Sequence, residues 1–197
     1  MDKLSSDGGV SPPGGANQTP RTHPKRRRTH PKRLYARLAS SLATWPDAAG
    51  WRFSVAVGTA TLAAVGVVGF SSGLYALHTA NLNGLPLRLL TVLIAPAFGE
   101  EAVFRGLLIP SRAETPRPTL QIVLATSVFI AWHLVEAKLI LPAAASLFER
   151  PDFLACAGLV GLGCAVIRWR TGSLWPAVAL HWLMVTIWQT WLGGLTL

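Results

Sequence analysis

Five long apolar stretches, separated by short polar breaks, dominate the chain from residue 53 onward. The first, Phe53 to Leu77, is twenty-five residues without a charge, enough to cross a hydrocarbon layer of about 30 Å as a helix. The second, Leu89 to Pro110, is interrupted by Glu100, Glu101 and Arg105. The third starts near Leu120 and stays uncharged to Val135. It then meets Glu136 and Lys138, read as a pair at a loop edge, before a further apolar piece from Leu139 to Phe148. The fourth, Phe153 to Ile167, is short and rich in small residues, which suits close helix contact. The fifth runs from Leu174 to the end, after a Thr171-Gly172-Ser173 break in which Ser173 has the chemistry of an N-cap. The pattern predicts an all-α polytopic transmembrane bundle of about five spans.

Ahead of these segments, residues 1–44 are rich in Gly, Pro, Ser, Thr and Arg and contain an approximate repeat, Arg21-Thr-His-Pro-Lys and Arg28-Thr-His-Pro-Lys. Nothing there can bury a core, so a disordered basic cytoplasmic tail is expected over 1–44, with the membrane domain over 45–197. His23 and His30 fall in this tail and are not read as metal ligands.

Composition agrees with a membrane protein. Of the 197 residues, 51% are hydrophobic and 14% charged, against roughly 25% charged in soluble domains. The net charge of +9 would suggest a nucleic-acid partner were it spread over a folded surface. Instead, eight basic residues lie between Arg21 and Arg37, before the first apolar run. There they read as a topology signal and a contact for anionic lipid, and no nucleic-acid partner is expected. Cys156 and Cys164 are eight residues apart in one apolar run, about 12 Å along a helix and too far to bridge.

Orientation follows from the breaks. With the tail inside, the loops carrying Arg112 and Arg117, and Arg168 and Arg170, are also inside. The loop over 78–86 has no Lys or Arg, and Lys138 and Arg150 are outweighed by Glu136, Glu149 and Asp152. The positive-inside rule is satisfied with the N-terminus in and the C-terminus out. Trp45, Trp51, Trp169 and Trp175 fall near the expected inner boundaries.

The second segment carries the candidate chemistry. A central charge costs about 2.5–3.5 kcal/mol on an insertion scale, and each Leu, Ile, Val or Phe returns about 0.3–0.6. Three charges therefore outweigh the eleven such residues of this segment, so the charges need partners in the bundle interior. Glu101 and Arg105 stand i, i+4 with the acid first, the favourable order for an ion pair. Glu100 is then left without a partner in its own helix, the situation of a general base. Pro96, one turn earlier, removes a backbone hydrogen bond and loosens the helix there.

His133 and His181 lie in the third and fifth segments. Counting from the expected inner ends, Glu100 is ten residues from Pro110, His133 thirteen from Leu120 and His181 seven from Leu174. At 1.5 Å per residue all three fall roughly 10–20 Å deep and can meet.

Glu100-Glu101-Ala-Val-Phe-Arg105 matches EExxxR, and Phe129-Ile-Ala-Trp-His133 matches FxxxH. The stretch from Arg170 to His181 is similar to the approach to a third motif histidine. On these residues the chain resembles the CPBP family, the CAAX-protease and bacteriocin-processing (Abi) intramembrane proteases, over about residues 85–190. The resemblance implies a multi-pass protein of the cell membrane, such as a bacterial inner membrane, that hydrolyses a peptide or membrane-protein substrate near the cytoplasmic face without a cofactor or metal. It implies catalytic roles for Glu100, His133 and His181, with Glu101, Arg105 and Phe129 in support. Glu100 and His133 would activate water, and His181 would help stabilise the oxyanion. The family commonly ends HxxxN, whereas position 185 is Val, which has no donor. Gln189 stands one turn further on.

Two other functions compete. One carboxylate and two histidines can also form an open zinc site, although no HExxH is present. A membrane scaffold or immunity-like protein could keep the fold and lack the full chemistry. The substrate and the oligomeric state have no signature in the sequence.

Overall fold

A computed structural model describes residues 31–79 and 82–195. Among these residues every regular element is helical. Helix α1 covers Pro31–Ala43 and α2 Ala48–Ser71. Helix α3, Leu85–Val92, continues without a break into two π-helical stretches, Leu93–Glu100 and Ala102–Leu107. Helix α4 spans Thr119–Leu139. A 3₁₀ turn at Pro142–Ala144 and the single-turn α5, Ala145–Phe148, lead to α6, Pro151–Thr171, and α7, Trp175–Trp191.

The five apolar segments thus fold as five rods: α2, the continuous helix over 85–107, α4, α6 and α7. Three of them, α2, α4 and α6, are long and apolar enough to cross a membrane. Helix α7 has 17 residues, and the rod over 85–107 carries the interior charges. Residues 31–43, expected at the end of an unstructured tail, instead form α1, because Leu34, Leu38 and Leu42 recur on one face. Leu38 and Leu42 pack that face against Ala97, Leu174 and Val178. The rest of the tail expectation, residues 1–30, lies outside the described residues.

Helix α6 is the central rod, packed by α2, α4, α7 and the second π stretch. Half of its apolar window is buried, against 28% for α2 and for α4. Its small residues make that position possible. A Cβ on Gly161 would stand 2.9 Å from both Arg105 Nη2 and Phe129 Cδ1, and one on Gly163 would collide with Thr61 Oγ1. Lipid is as apolar as leucine, so such close packing, rather than withdrawal of apolar surface from water, holds rods together in a bilayer. Exposed Val55, Val67, Leu124, Val128 and Leu162 form the outward, lipid-compatible faces.

The helix ends are defined by local chemistry. Asp47 caps α2 by accepting from Gly50 N–H at 2.7 Å. Gly172, at φ 71°, takes the left-handed conformation that ends α6. Leu174, not Ser173, is the N-cap of α7. Its N–H is held by Ser41 O of α1 at 3.0 Å, and Ser173 Oγ accepts from Trp175 N–H at 3.3 Å.

Arg168, expected as a loop cation, is 1% exposed in the last turn of α6. Both cysteines are free and buried.

Helix α1 closes one end of the bundle. Arg37 Nη1 donates to Leu107 O at 3.0 Å and Leu108 O at 3.3 Å, carbonyls at the end of the second π stretch. Trp175 Nε1 donates to Leu42 O at 2.9 Å. Trp45 makes ring contacts with Trp51 and Trp175 at the same end.

Candidate active site

Glu100 ends the first π stretch, Arg105 lies in the second, and Glu101 stands between them. Pro96 lies inside the first and has no N–H for the helical ladder, and wider π turns are a frequent feature of functional helices. The second stretch packs against α1, α4 and α6, and the first against α7. Adjacent residues of one rod therefore face different neighbours.

Glu101 points into the packed interior and is 0% exposed. Its Oε1 accepts from Arg105 Nη1 at 2.9 Å and from His181 Nδ1 at 2.9 Å. The expected i, i+4 pair is formed. Arg105, 1% exposed, also lies over the Phe129 ring, 4.1 Å from its centroid. Phe129 touches three motif residues, with His133 and His181 standing edge-on to it at 4.8 and 5.9 Å between centroids.

Glu100 faces a cavity instead. Its side chain is 11% exposed. Oε1 accepts from Trp132 Nε1 at 3.3 Å, while Oε2 is buried without a hydrogen-bond partner and lies 3.8 Å from His181 Nε2. His133 Nδ1 donates to Phe129 O at 3.0 Å. A carbonyl can only accept, so this bond assigns the Nδ1 proton of neutral His133 and leaves a lone pair on Nε2. Among the described residues, ligand atoms of Glu100, His133 and Glu136 lie within 4.8 Å of one another.

The structure brings Glu100, His133 and His181, from three separate rods, onto one cavity of about 540 Å³. Phe129 lines it as well, while Glu101 and Arg105 sit behind it. Aromatic and aliphatic side chains form most of the wall, among them Tyr75, Phe104, Phe148, Phe153, Met184 and Trp188. Val185 and Gln189 both border it, so the position where the family commonly has Asn presents a methyl surface and an amide follows one turn later.

Two wall residues escaped the sequence reading. Glu136 belongs to α4, not to a loop edge, and comes three residues after His133, one turn along the same face. That spacing was the available signal. Trp132 had none, since an indole among apolar residues reads as packing.

Over residues 82–187 the chain matches a family model described as type II CAAX prenyl endopeptidase Rce1-like. No curated protein and no solved structure matches it. The match covers more than half of the chain and includes the helices that carry Glu100, His133 and His181, and the chain belongs to this Rce1-like family of CAAX-protease-type membrane endopeptidases.

Proposed function

We propose that this protein is an intramembrane glutamic-type endopeptidase in which Glu100 and His133 activate the attacking water. The observation that carries the reading is the meeting of Glu100 Oε2, which has no hydrogen-bond partner, and the lone pair of His133 on one mostly apolar cavity. Water held between them loses a proton to the Glu100 carboxylate as its oxygen attacks the scissile carbonyl carbon. When the C–N bond breaks, that proton passes to the departing amine. His181, steadied at Nδ1 by Glu101, directs Nε2 toward Glu100. With both ring nitrogens protonated, it can donate to the oxyanion. Arg105 is the buried counter-charge that lets Glu101 hold this position.

The setting proposed is a five-span protein of a cell membrane, N-terminus in the cytoplasm, with its basic tail on anionic lipid. The decisive test compares membrane-peptide termini from cells carrying wild type and Glu100→Ala at matched expression. New termini that disappear in the variant support the protease and identify its substrates; identical profiles reject it.

A metal-dependent reading is favoured by one observation, the Glu100, His133 and Glu136 cluster. This set has two carboxylates and one histidine, where one carboxylate and two histidines were expected from sequence, and it too offers Zn²⁺ three ligands and an open position. Tetrahedral ligands about 2 Å from zinc stand roughly 3.3 Å apart, so the three side chains would have to draw inward. A bound Zn²⁺ would supply a Lewis acid. Protein that is fully active with far less than one metal per chain, and insensitive to chelators, rejects this reading.

A further inference from the structure

We infer that Glu136 and the aromatic side chains around it form a subsite for a basic side chain, so that the substrates carry lysine or arginine beside the scissile bond. The cleavage half of this statement rests on the protease reading above; the binding of a basic side chain does not.

The cavity has an uneven balance of charge. Glu100 and Glu136 both border it, with His133 and His181, and among the described residues no lysine or arginine does. An oxygen of each glutamate and a ring nitrogen of His133 lie within 4.8 Å of one another. Two carboxylates at that separation repel, and mostly apolar walls screen the repulsion poorly.

The cations of the neighbourhood are engaged elsewhere. Arg105, behind the wall, is held by Glu101 at 2.9 Å. His181 directs Nε2 to Glu100 at 3.8 Å. Lys138, two residues along α4, is exposed, and among the described residues no ion pair includes it or Glu136. Glu136 is therefore a carboxylate on an apolar cavity whose counter-charge has to arrive from outside.

The wall next to it suits a long cationic side chain. His133, one turn before Glu136, stands edge-on to Phe148 and Phe153, at 5.7 and 5.5 Å between centroids. Those two rings stack at 4.7 Å, and Trp188 meets Phe153 at 5.7 Å. All three aromatic residues border the cavity. Aromatic faces attract a cation, and lysine and arginine bury an apolar stem while keeping the charged end on a polar partner. Glu136 itself is fixed in place. Its carbonyl accepts from Ile140 N–H at 2.9 Å and Leu141 N–H at 2.7 Å, closing the last turn of α4.

Proximity to Glu100 sets where the basic residue stands in the substrate. The separation of at most 4.8 Å between the two carboxylates is little more than one Cα–Cα step of about 3.8 Å. The recognised residue thus lies within about two positions of the bond that Glu100 addresses. An acidic side chain there meets two carboxylates, and a neutral one leaves Glu136 unanswered, so the subsite selects by rejection as well as by attraction.

A matched pair of probes tests the subsite on the full chain in detergent micelles. Dodecanoyl-lysine amide and dodecanoyl-norleucine amide share the acyl tail and the aliphatic stem and differ in the terminal ammonium group. Their Kd values are read from tryptophan fluorescence, since Trp132 and Trp188 border the cavity. The lysine probe should bind wild type about tenfold tighter, as expected of a hydrogen bond to a charged group. Glu136→Gln should bring the two Kd values together, and Glu136→Lys should make dodecanoyl-glutamate amide the preferred ligand. Equal Kd values in wild type overturn the proposal. A lysine preference that survives in Glu136→Gln also overturns it, because the cation is then bound elsewhere. So does a Zn²⁺ ion that resists chelation and blocks the lysine probe, since the counter-charge is then a metal. If Glu136→Gln does not fold, Glu136→Ala carries the same comparison, and a wild-type ratio near one is still decisive by itself.

The cleavage half is read from the Glu100→Ala comparison of membrane-peptide termini. Lysine or arginine enriched beside the Glu100-dependent termini, relative to the same membrane proteins as a whole, supports it; background frequency rejects it. An absence of Glu100-dependent termini rejects the protease reading, while the binding result stands.

Discussion

Glu101 and Glu100 are neighbours in one rod but belong to two different regions. On the side toward α1, Glu101 is sealed among Arg105, His181 and the Phe129 ring, with Gly161 drawing α6 against them. On the cavity side, among the described residues, Glu100 has no ion pair with an arginine or lysine. It accepts from Trp132 Nε1 at 3.3 Å and stands 3.8 Å from His181 Nε2, with Glu136 and His133 nearby. An Oε2 without a hydrogen-bond partner is common to both glutamates. The closed region uses charge to fix structure, because a buried carboxylate is tolerable only when paired. The open region leaves a carboxylate under-partnered, a stability cost that makes sense where water or substrate is to be bound. Identical side chains one residue apart therefore differ in function through what surrounds them.

The largest expected effects come from exchanging those surroundings. Glu100→Gln should lower cleavage by about 10²–10⁴-fold, the usual contribution of a general base, and leave detergent-solubilised protein monodisperse with an unchanged melting temperature. Glu101→Leu should do the reverse in kind. It strands Arg105 in the interior, a loss of about 3–5 kcal/mol, seen as failed expression or a collapsed size-exclusion peak. If Glu100→Gln unfolds the protein while Glu101→Leu leaves it folded, the assignment of the two regions is inverted.

A smaller effect probes the cavity wall. Val185→Asn adds a donor at the position where the family commonly has one. A single oxyanion donor is worth about 10²–10³ in kcat, and an added, unoptimised one should recover at least about tenfold of that. Gln189→Ala should reduce kcat in wild type and matter less once Asn is present. Equal kcat in wild type and Val185→Asn would show that position 185 does not reach the oxyanion, and equal kcat in wild type and Gln189→Ala would show the same of Gln189.

The closed region was the more legible of the two in the sequence. The Glu101–Arg105 spacing and the small residues of α6 each have a local rule, and local rules operate within one helix. Glu136 was misplaced because its role depends on how α4 stands relative to the 85–107 rod, a relation between segments far apart in the chain. Trp132 is similar: nothing near it in the chain announces that its indole reaches Glu100. Helix α1 was hidden by composition, since Lys32, Arg33 and Arg37 look like tail. Its three leucines need the exposed end of the bundle before a helix there has anything to cover.

The smallest effect concerns the ties of α1. Arg37 Nε donates to Glu114 Oε1 at 3.0 Å, and Ser111 N–H donates to Glu114 Oε2 at 2.7 Å. Glu114 lies in the loop before α4. Partial burial acts to raise its pKa, but the Ser111 N–H and the Arg37 guanidinium outweigh that and hold it below the ordinary carboxylate value. A carboxyl with a lowered folded pKa contributes stability above its unfolded pKa and loses it as pH falls through the folded one. The α1 tie should therefore hold at neutral pH and weaken only in acid, below the ordinary range for a glutamate. Half-exposed pairs of this kind are worth about 0.2–1 kcal/mol, so Glu114→Gln should lower the melting temperature slightly at pH 7 and not at all in strong acid. Arg37→Ala also removes the donors to Leu107 O and Leu108 O, so it should cost more than Glu114→Gln and retain part of its effect in acid. Equal effects of the two variants at every pH would mean that the carbonyl bonds of Arg37 contribute nothing beyond the ion pair.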